Sequence, residues 1–533
     1  MKKRAIMMYL MIAVILGGLI FRIYQLNNNQ LMQAAENQGT MTVSIANVRG
    51  TIYDNNLQPL VNAEYSPRYS IVPSPDTIAA LSGVMEASVL EKLTHGLQDG
   101  KPTVLSVDAL LPIMRNISSF LVPKRYSEPL LAPHVIGYLN SDGLHGVSGI
   151  ELAYDEYLNK CAGKASVTYK VDGTRKLLAG QTPVIENTLK NAKAGIALTL
   201  NREIQEITEK ATKQLLDKGA VVVMEPTTGR ILAMVSMPDY QPSTVADCLN
   251  DSNSPLLNRA LCNYNLGSVF KIVSTAVALE SGISINETYT CTGSLRIGDR
   301  TFNCHNRLGH GKLNMTQAFK ESCNTYYIQL MLKAGGTRLY NMATTFGFDR
   351  PIYLADGIKT ARALMPTLES LAQSGAVANM SFGQGELTAS PIHVAQLTST
   401  VLNGGELIRP TLFKGYVDAD GKLAEEALPP PTSVFSKETA DKIKQMMLQV
   451  VENGSGAAAK PENGGAGGKT GTAETGLLDS SGTMVVQSWF TGFFPAEQPK
   501  YVITVMSEDS GNSGVRSSVV FKNIADELMK KGF

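Results

Sequence analysis

An apolar segment near the amino terminus constrains this chain more than any other feature of its sequence. Three basic residues at positions 2–4 precede seventeen uncharged residues, 5–21, and Arg22 follows. At 1.5 Å per residue, a helix of that length is at the short end of what spans a hydrocarbon core of about 30 Å. The segment is therefore a candidate for an N-terminal membrane anchor.

The basic residues also predict an orientation. Positive charge before a first membrane helix favours a cytoplasmic amino terminus. We therefore predict a cytoplasmic tail at 1–4, a membrane anchor at 5–22, and a single-pass protein of the cell membrane whose remaining residues are extracytoplasmic. The alternatives are a cleaved signal peptide and a buried helix. The candidate small-residue cleavage site, Gln33-Ala34-Ala35, lies well beyond the apolar run.

Length and charge exclude some classes of protein. The 533 residues correspond to roughly three and a half domain equivalents. The net charge is 48 − 47 = +1, with 18% charged and 44% hydrophobic residues. This composition is that of a globular protein and not of a general polyanion binder, so we expect no nucleic-acid partner.

Hydrophobic patterning predicts where the exported part divides. Asn201 can cap a helix whose apolar face carries Ile204, Ile207, Ala211 and Leu215 and which Gly219 would end. We expect a new domain to begin just before this helix. We therefore predict a region of mixed helices and strands at 23–195, followed by a large domain at 196–533.

The large domain carries strand patterns near both ends. Residues 220–224 and 231–236 read as a hairpin, 485–494 and 501–507 as two further strands, and 517–531 as a closing helix. Strands at both ends predict one sheet assembled from the domain's termini. The glycine-rich segment 454–468 is predicted to be a mobile loop that leads into a strand at 469–473.

Three short motifs are candidates for chemistry, and several familiar ones are missing. The chain contains no G-x-S-x-G, H-E-x-x-H or P-loop pattern. In chain order, the three motifs that do occur are Ser268-Val269-Phe270-Lys271, Ser322-Cys323-Asn324 and Lys469-Thr470-Gly471-Thr472.

The first motif places a nucleophile beside a base. Residues three apart on a helix share a face, so the Lys271 amine would lie beside the Ser268 hydroxyl at a helix N-terminus. A lysine acts as a base only when neutral, and lowering its pKa from about 10.4 to 7 costs roughly 4 to 5 kcal/mol. Burial and a second cation, for which Lys469 is the candidate, could lower the pKa in this way.

The other two motifs supply polar groups. Ser322 could relay a proton, and Asn324 could hold Lys271 or a substrate carbonyl. The strand that contains Gly471 could present its edge to an extended peptide, and the Thr470 and Thr472 hydroxyls could bind a carboxylate.

The ordered set is more specific than any one motif. An S-x-x-K arises by chance in a chain of this size, and Ser284-Ile285-Asn286 also satisfies the second pattern. With all three in order, the chain resembles a class B penicillin-binding protein. The resemblance covers nearly the whole chain and includes five further stretches, at 49–54, 146–151, 258–260, 383–385 and 388–391. One departure is Leu266 before Gly267, where the family usually has proline.

The resemblance implies both fold and activity. The fold class would be α/β (α+β), with an anchor, a noncatalytic pedestal domain at 23–195 and a transpeptidase domain at 196–533. In the transpeptidase domain, helices would pack on a central antiparallel sheet. The activity would be that of a peptidoglycan D,D-transpeptidase. Ser268 would form an acyl-enzyme with a stem peptide and release D-Ala, and a neighbouring amine would then take the acyl group.

The resemblance also implies residue roles and partners. Lys271 would be the base, Ser322 and Asn324 would shuttle protons and position groups, and Lys469 with its neighbours would bind the substrate carboxylate. The N–H groups of Ser268 and Thr472 would form an oxyanion hole. The implied partners are stem peptides ending in D-Ala-D-Ala, β-lactams, the cytoplasmic membrane and a SEDS-family glycan polymerase, with no cofactor.

Two other functions stay open at this stage. One is a hydrolase, either a D,D-carboxypeptidase or a β-lactamase, although the stretch closest to the β-lactamase E-x-x-L-N pattern, at 369–373, lacks both its leucine and its asparagine. The other is a noncatalytic cell-wall scaffold or β-lactam sensor. A role in elongation, division or sporulation is not distinguished.

Cysteines and histidines are concentrated near the second motif, at Cys291, Cys304, His305, His310 and Cys323. Free core thiols with solvated histidines are the simplest interpretation. A disulfide, with Cys304 and Cys323 as the candidate redox pair or with Cys291 involved, would make the site redox-sensitive. A zinc site is disfavoured because no short C-x-x-C pair is present, so we expect no metal.

Overall fold

The computed structural model describes residues 2–27, 39–99, 101–107, 109–112, 114–178, 180–478, 482, 484–508 and 515–533. Contacts within the chain divide it into two compact units. The smaller unit comprises Met1–Gly50, Asn62–Arg125 and Cys161–Lys193, and the larger unit comprises Thr51–Val61, Tyr126–Lys160 and Ala194–Phe533. The predicted domain limits at 23–195 and 196–533 stay a prediction.

The smaller unit begins with the apolar helix Lys2–Asn27. Its stretch Lys3–Gln25 is long and apolar enough to cross a membrane, which fits an anchor. The candidate cleavage site Gln33-Ala34-Ala35 lies outside the described residues.

In the described part of the smaller unit, the apolar helix is accompanied by two three-stranded antiparallel sheets. In sheet order, their strands are Thr40–Val48, Gly163–Lys170 and Val184–Asn187, and then Thr103–Ser106, Glu64–Ile71 and Ile117–Lys124. Two α-helices and a 3₁₀ helix accompany them, at Pro75–Leu81, Ala87–Asp99 and Leu189–Lys193.

The larger unit is built on a five-stranded antiparallel sheet, as predicted from the strand patterns at both ends of the domain. In sheet order, the strands are Ile231–Met237, Gly219–Met224, Tyr501–Ser507, Met484–Phe494 and Gly467–Leu478. Strands from near the two ends of the domain, Gly219–Met224 and Tyr501–Ser507, therefore pair with each other inside the sheet, and Gly467–Leu478 is one of its two outer strands. This strand begins two residues before the predicted start at Lys469.

Both faces of this sheet are covered by helices, because successive side chains of each strand point to opposite faces. Phe490 packs with Ile204 and Phe521, from the helices Arg202–Lys213 and Val515–Lys530. Trp489, the next residue along its strand, packs in the opposite core with Val269 and Met446. Helices packed on an antiparallel sheet confirm the expected fold class.

The predicted helix after Asn201 is present but shorter than its apolar pattern suggested. The Asn201 side chain accepts a hydrogen bond from the Ile204 N–H at 3.0 Å, and the helix runs from Arg202 to Lys213. It ends before Gly219, which instead begins a strand.

The larger unit also contains a second sheet, five strand pairs and further helices in its described part. A second sheet contains Thr51–Tyr53, Gly195–Leu198, Phe413–Val417 and Leu423–Glu425, its first two strands parallel. Two-stranded pairs are Tyr264–Asn265 with Thr388–Ala389, Tyr289–Cys291 with Gly311–Leu313, Ser294–Ile297 with Arg300–Asn303, Tyr353–Ala355 with Ile358–Lys359, and Glu406–Leu407 with Thr432–Ser433. The other α-helices are Pro133–Ile136, Gly149–Ala153, Asp155–Lys160, Val245–Cys248, Lys271–Glu280, Met315–Lys320, Asn324–Ala334, Gly336–Thr345, Ser374–Ser381, Pro391–Leu402 and Lys437–Asn453. Short 3₁₀ helices are Pro242–Thr244, Arg259–Leu261, Gly267–Phe270, Ser370–Ala372 and Ala457–Ala459.

Candidate active site

Ser268 lies at the start of a buried helix, but its own backbone is not α-helical. It is the second residue of the 3₁₀ turn Gly267–Phe270, which runs directly into the α-helix Lys271–Glu280. Ser268 is half-buried, whereas the side chain of Lys271 is fully buried. The α-helix predicted to begin at Ser268 therefore begins three residues later.

Close packing holds this turn in place. Gly267 has φ of +56°, and its N–H donates to the Gly383 carbonyl at 2.9 Å. A Cβ atom at position 267 would lie 2.4 Å from the carbonyl oxygen of Thr472. On the facing strand, a Cβ at Gly471 would lie 2.9 Å from a methyl of Val269. Glycine at both positions lets the backbone of the strand lie against the turn that carries Ser268.

Ser322 joins the two lysines of the predicted site. Lys271 Nζ donates to the Ser322 carbonyl at 2.6 Å and to Asn324 Oδ1 at 2.7 Å, and it lies 3.3 Å from Ser322 Oγ. Lys469 Nζ donates to the same Oγ at 3.0 Å and to the Thr470 carbonyl at 3.1 Å. The structure thus brings together side chains from all three motifs.

The backbone has an uncommon conformation at the residue that contacts both lysines. Ser322 has φ of +54°, in the left-handed region that residues other than glycine rarely adopt. Such a conformation costs on the order of 1 to 3 kcal/mol and is found where surrounding structure enforces it. It allows both the carbonyl and the hydroxyl of one residue to reach Lys271. The competing Ser284-Ile285-Asn286 pattern instead forms a local turn, in which the Asn286 N–H donates to Ser284 Oγ at 3.2 Å.

Burial governs the ionisation of both lysines. It lowers the pKa of Lys271 to about 7, against a smaller opposing influence of the Cys323 and Cys304 thiols. Burial, together with the nearby Lys271 amine, also lowers the pKa of Lys469 well below its usual value. Among the described residues, the hydrogen-bond acceptors of the two amines are carbonyls, an amide and a hydroxyl, and none is a carboxylate that would favour the charged forms. A neutral amine can therefore be present in the site near pH 7.

The strand Gly467–Leu478 has one edge outside the sheet, where an extended peptide could add. Thr472 is exposed, Thr470 is half-buried, and Gly471 between them is buried. One further residue at this edge was not predicted from sequence: Ser455 Oγ lies 3.1 Å from Thr470 Oγ1. Ser455 belongs to the glycine-rich segment, whose composition gives no signal for a polar contact with the site.

The cysteine and histidine residues form a compact cluster beside Ser322. One ligand atom from each of Cys291, Cys304, His310 and Cys323 lies within 4.8 Å of all the others. The sulfurs of Cys304 and Cys323, the candidate redox pair, are 3.9 Å apart and not bonded. His305 lies next to the cluster, with its ring centroid 5.0 Å from that of His310.

Comparison with known proteins is consistent with this fold and site. A family model of the penicillin-binding protein transpeptidase domain matches residues 219–530. The peptidoglycan D,D-transpeptidase PbpA of Mycobacterium tuberculosis is 30% identical, over 64% of this chain and 73% of the relative. MrdA of Salmonella typhimurium, also named a peptidoglycan D,D-transpeptidase, is 26% identical over 99% of this chain and 96% of its own length.

A solved structure is also similar to this chain over most of its length. The crystal structure of the D,D-transpeptidase domain of a peptidoglycan glycosyltransferase from Eggerthella lenta has 27% identity and a TM-score of 0.64, covering 91% of this chain and 99% of that one. The chain therefore belongs to the penicillin-binding protein transpeptidase family. Within that family it is a class B protein and a peptidoglycan D,D-transpeptidase of bacterial cell-wall synthesis, which confirms the resemblance noted from the motifs.

Proposed function

We propose that this transpeptidase works through a serine acyl-enzyme at Ser268. In the first half-reaction, the Ser268 hydroxyl attacks the carbonyl carbon of the penultimate D-Ala of a stem peptide. The peptide bond to the terminal D-Ala breaks, and that residue leaves with a proton. In the second half-reaction, an amine of a neighbouring stem peptide attacks the ester, forming the cross-link and restoring the Ser268 hydroxyl.

Lys271 is the proposed general base. The observation that carries this role is a fully buried amine, one helical turn from Ser268, with a pKa lowered to about 7. A base with a pKa near the working pH combines a useful neutral fraction with proton affinity. The Ser268 proton would pass to Lys271 as the hydroxyl attacks, and would then be delivered to the departing amine.

Ser322 and the residues around it complete the proposed machinery. The Ser322 hydroxyl contacts both lysine amines, so it could relay a proton between Lys271 and the leaving group. Asn324 holds Lys271 in position through its Oδ1 atom. Lys469, when protonated, and the hydroxyls of Thr470 and Thr472 would bind the substrate carboxylate along the strand that includes Gly471.

The oxyanion hole is proposed to form from the backbone N–H groups of Ser268 and Thr472. Gly267 and Thr472 are in close contact, which supports placing these two N–H groups near one carbonyl oxygen of the substrate. β-Lactams, as mimics of D-Ala-D-Ala, would acylate the same hydroxyl.

Location and partners follow from the anchor. The basic residues at 2–4 support a cytoplasmic amino terminus, so the larger unit would face the cell wall, where stem peptides occur. A SEDS-family glycan polymerase is the proposed protein partner, supported by membership of class B.

Labelling with a fluorescent penicillin tests the mechanism. The full-length protein should be labelled, Ser268→Ala should not, and Ser281→Ala, a control at the end of the same helix, should retain labelling. Mass spectrometry should place the adduct on the peptide containing Ser268. Equal labelling of wild type and Ser268→Ala would refute the assignment, and absence of labelling from all three would favour a noncatalytic scaffold.

A second assay separates transfer from hydrolysis. Purified protein incubated with stem-peptide donor and an acceptor amine should yield a cross-linked product and free D-Ala. Release of D-Ala with only hydrolysed donor would instead identify a D,D-carboxypeptidase.

A further inference from the structure

We propose that Cys291, Cys304, His310 and Cys323 form a closed tetrahedral site for Zn²⁺ that anchors the loop containing Ser322 and Asn324. Three thiolates and one imidazole are a set of ligands found in structural zinc sites. The three cysteines are almost completely buried, and His310 is half-buried. Zinc with these four ligands would have no open position for substrate, so its role is structural.

The distances fit a metal better than a disulfide. With Zn–S bonds of about 2.3 Å, tetrahedral geometry separates two sulfur ligands by about 3.8 Å, and a sulfur from a nitrogen by about 3.5 Å. Cys304 Sγ lies 3.9 Å from Cys323 Sγ and 3.5 Å from His310 Nδ1. A disulfide requires about 2.05 Å between sulfurs and would use only two of the four groups.

The four ligands belong to four different segments. Cys291 ends the strand Tyr289–Cys291, and Cys304 follows the strand Arg300–Asn303. His310 precedes the strand Gly311–Leu313, and Cys323 precedes the helix Asn324–Ala334. One ion would therefore cross-link two small β-ribbons to the start of a helix.

These ribbons have little hydrophobic core of their own. Each is a pair of strands of three or four residues, and two-stranded ribbons alone are marginally stable in water. The strands Ser294–Ile297 and Arg300–Asn303 contribute to a small hydrophobic cluster whose buried residues are Phe302, Ile328 and Ala378. A metal cross-link would supply stability that so small a cluster provides only in part.

The proposed zinc site is joined directly to the residues that hold Lys271. Cys323 is the middle residue between Ser322 and Asn324, and both of these bind the Lys271 amine. Asn324 Nδ2 also donates to the carbonyl of Asn303, the neighbour of Cys304, at 3.3 Å. Fixing Cys304 and Cys323 on one ion would hold Asn324 between them, so zinc would act on acylation by positioning and not by contact with substrate.

Binding involves proton exchange without electron transfer. Each cysteine thiol exchanges its proton for a Zn–S bond, so three protons are released for three thiolates. Neutral His310 contributes the lone pair of Nδ1. The metal then protects the thiolates from oxidation, because their lone pairs are coordinated.

The test measures metal directly in the full-length protein, purified in detergent under reducing conditions. Zinc analysis by mass spectrometry should find about one equivalent per chain. Cys304→Ser and His310→Ala should lose this zinc. Cys248→Ser, a control outside the cluster, and Ser268→Ala should retain it. Because Ser268→Ala separates metal binding from acyl transfer, failure of the proposed mechanism would not affect this result.

Cobalt provides a second measurement that does not depend on variants. Zinc would be removed with a chelator, and Co²⁺ would then be added to the metal-free protein. Bound Co²⁺ should give the strong visible absorption and the sulfur-to-metal charge-transfer bands of tetrahedral thiolate coordination. Added Zn²⁺ should abolish both signals. Penicillin acylation should slow on zinc removal and recover on zinc return.

Three outcomes would overturn the proposal. The first is a reduced wild-type protein that retains no zinc after incubation with Zn²⁺. The second is an equal zinc content in wild type and in folded Cys304→Ser or His310→Ala. The third is a Cys304–Cys323 disulfide as the resting form. If Cys304→Ser does not fold, His310→Ala and the cobalt spectrum still decide the question.

Discussion

Gly267→Ala is expected to slow acylation without unfolding the protein. The new Cβ would lie 2.4 Å from the Thr472 carbonyl oxygen, whereas ordinary contact begins at 3.4 Å, so the Ser268 turn and the strand must separate by 3.4 − 2.4 = 1.0 Å. A misplacement of about 1 Å at a reacting group can cost about 100-fold in rate. The alanine also costs about 1 to 2 kcal/mol of stability in the left-handed conformation.

Gly282→Ala is the matched control for this variant. Gly282 follows the same helix and has φ of +75°, but nothing lies within 4 Å of an added Cβ. Both variants should lose thermal stability through the left-handed conformation, and the loss should be at least as large for Gly267→Ala, which adds the contact with Thr472. Only Gly267→Ala should show a large fall in the second-order rate constant of fluorescent-penicillin acylation. Rate constants for the two variants within about threefold of each other would refute the steric argument.

Two further predictions concern ionised groups. Because burial lowers the pKa of Lys271 to about 7, the amine is protonated below that pH and neutral above it, so the acylation rate should rise with pH through about 7 and then level off. A rate that is flat between about pH 6 and pH 8 would contradict its role as the base. Arg259 is buried, and its Nε donates to Glu508 at 2.7 Å, so Arg259→Met should lower the free energy of unfolding by about 3 kcal/mol. Arg230→Met, which removes a more exposed ion pair with Glu425, should cost less than about 1 kcal/mol, and equal melting temperatures for the two variants would contradict this difference.

Local patterns in the sequence predicted many elements well. Examples are the hairpin at 219–237, the last two strands and the helix capped by Asn201. Each depends on the spacing of apolar residues, on turn residues or on a capping residue within about 15 residues of chain. The 3₁₀ turn at Ser268 was missed because its geometry comes from contacts with Gly383 and Thr472, distant in sequence.

The cysteine cluster shows the same limit. Its residues were noted from sequence, but a metal was not expected, because zinc motifs usually contain ligands two to four residues apart. Here the ligands come from separate strands and a helix start, and only folding of the two ribbons brings them together.

By itself, the sequence determined the apolar anchor, the identity and order of the three motifs, and the family to which they belong. These depend on residue types along the chain. The tertiary structure alone decided that Ser322 Oγ contacts lysines 51 and 147 residues away, and that both amines are buried. The shift in the pKa of Lys271 comes from the loss of water around its amine, and that loss is a property of packing between distant segments.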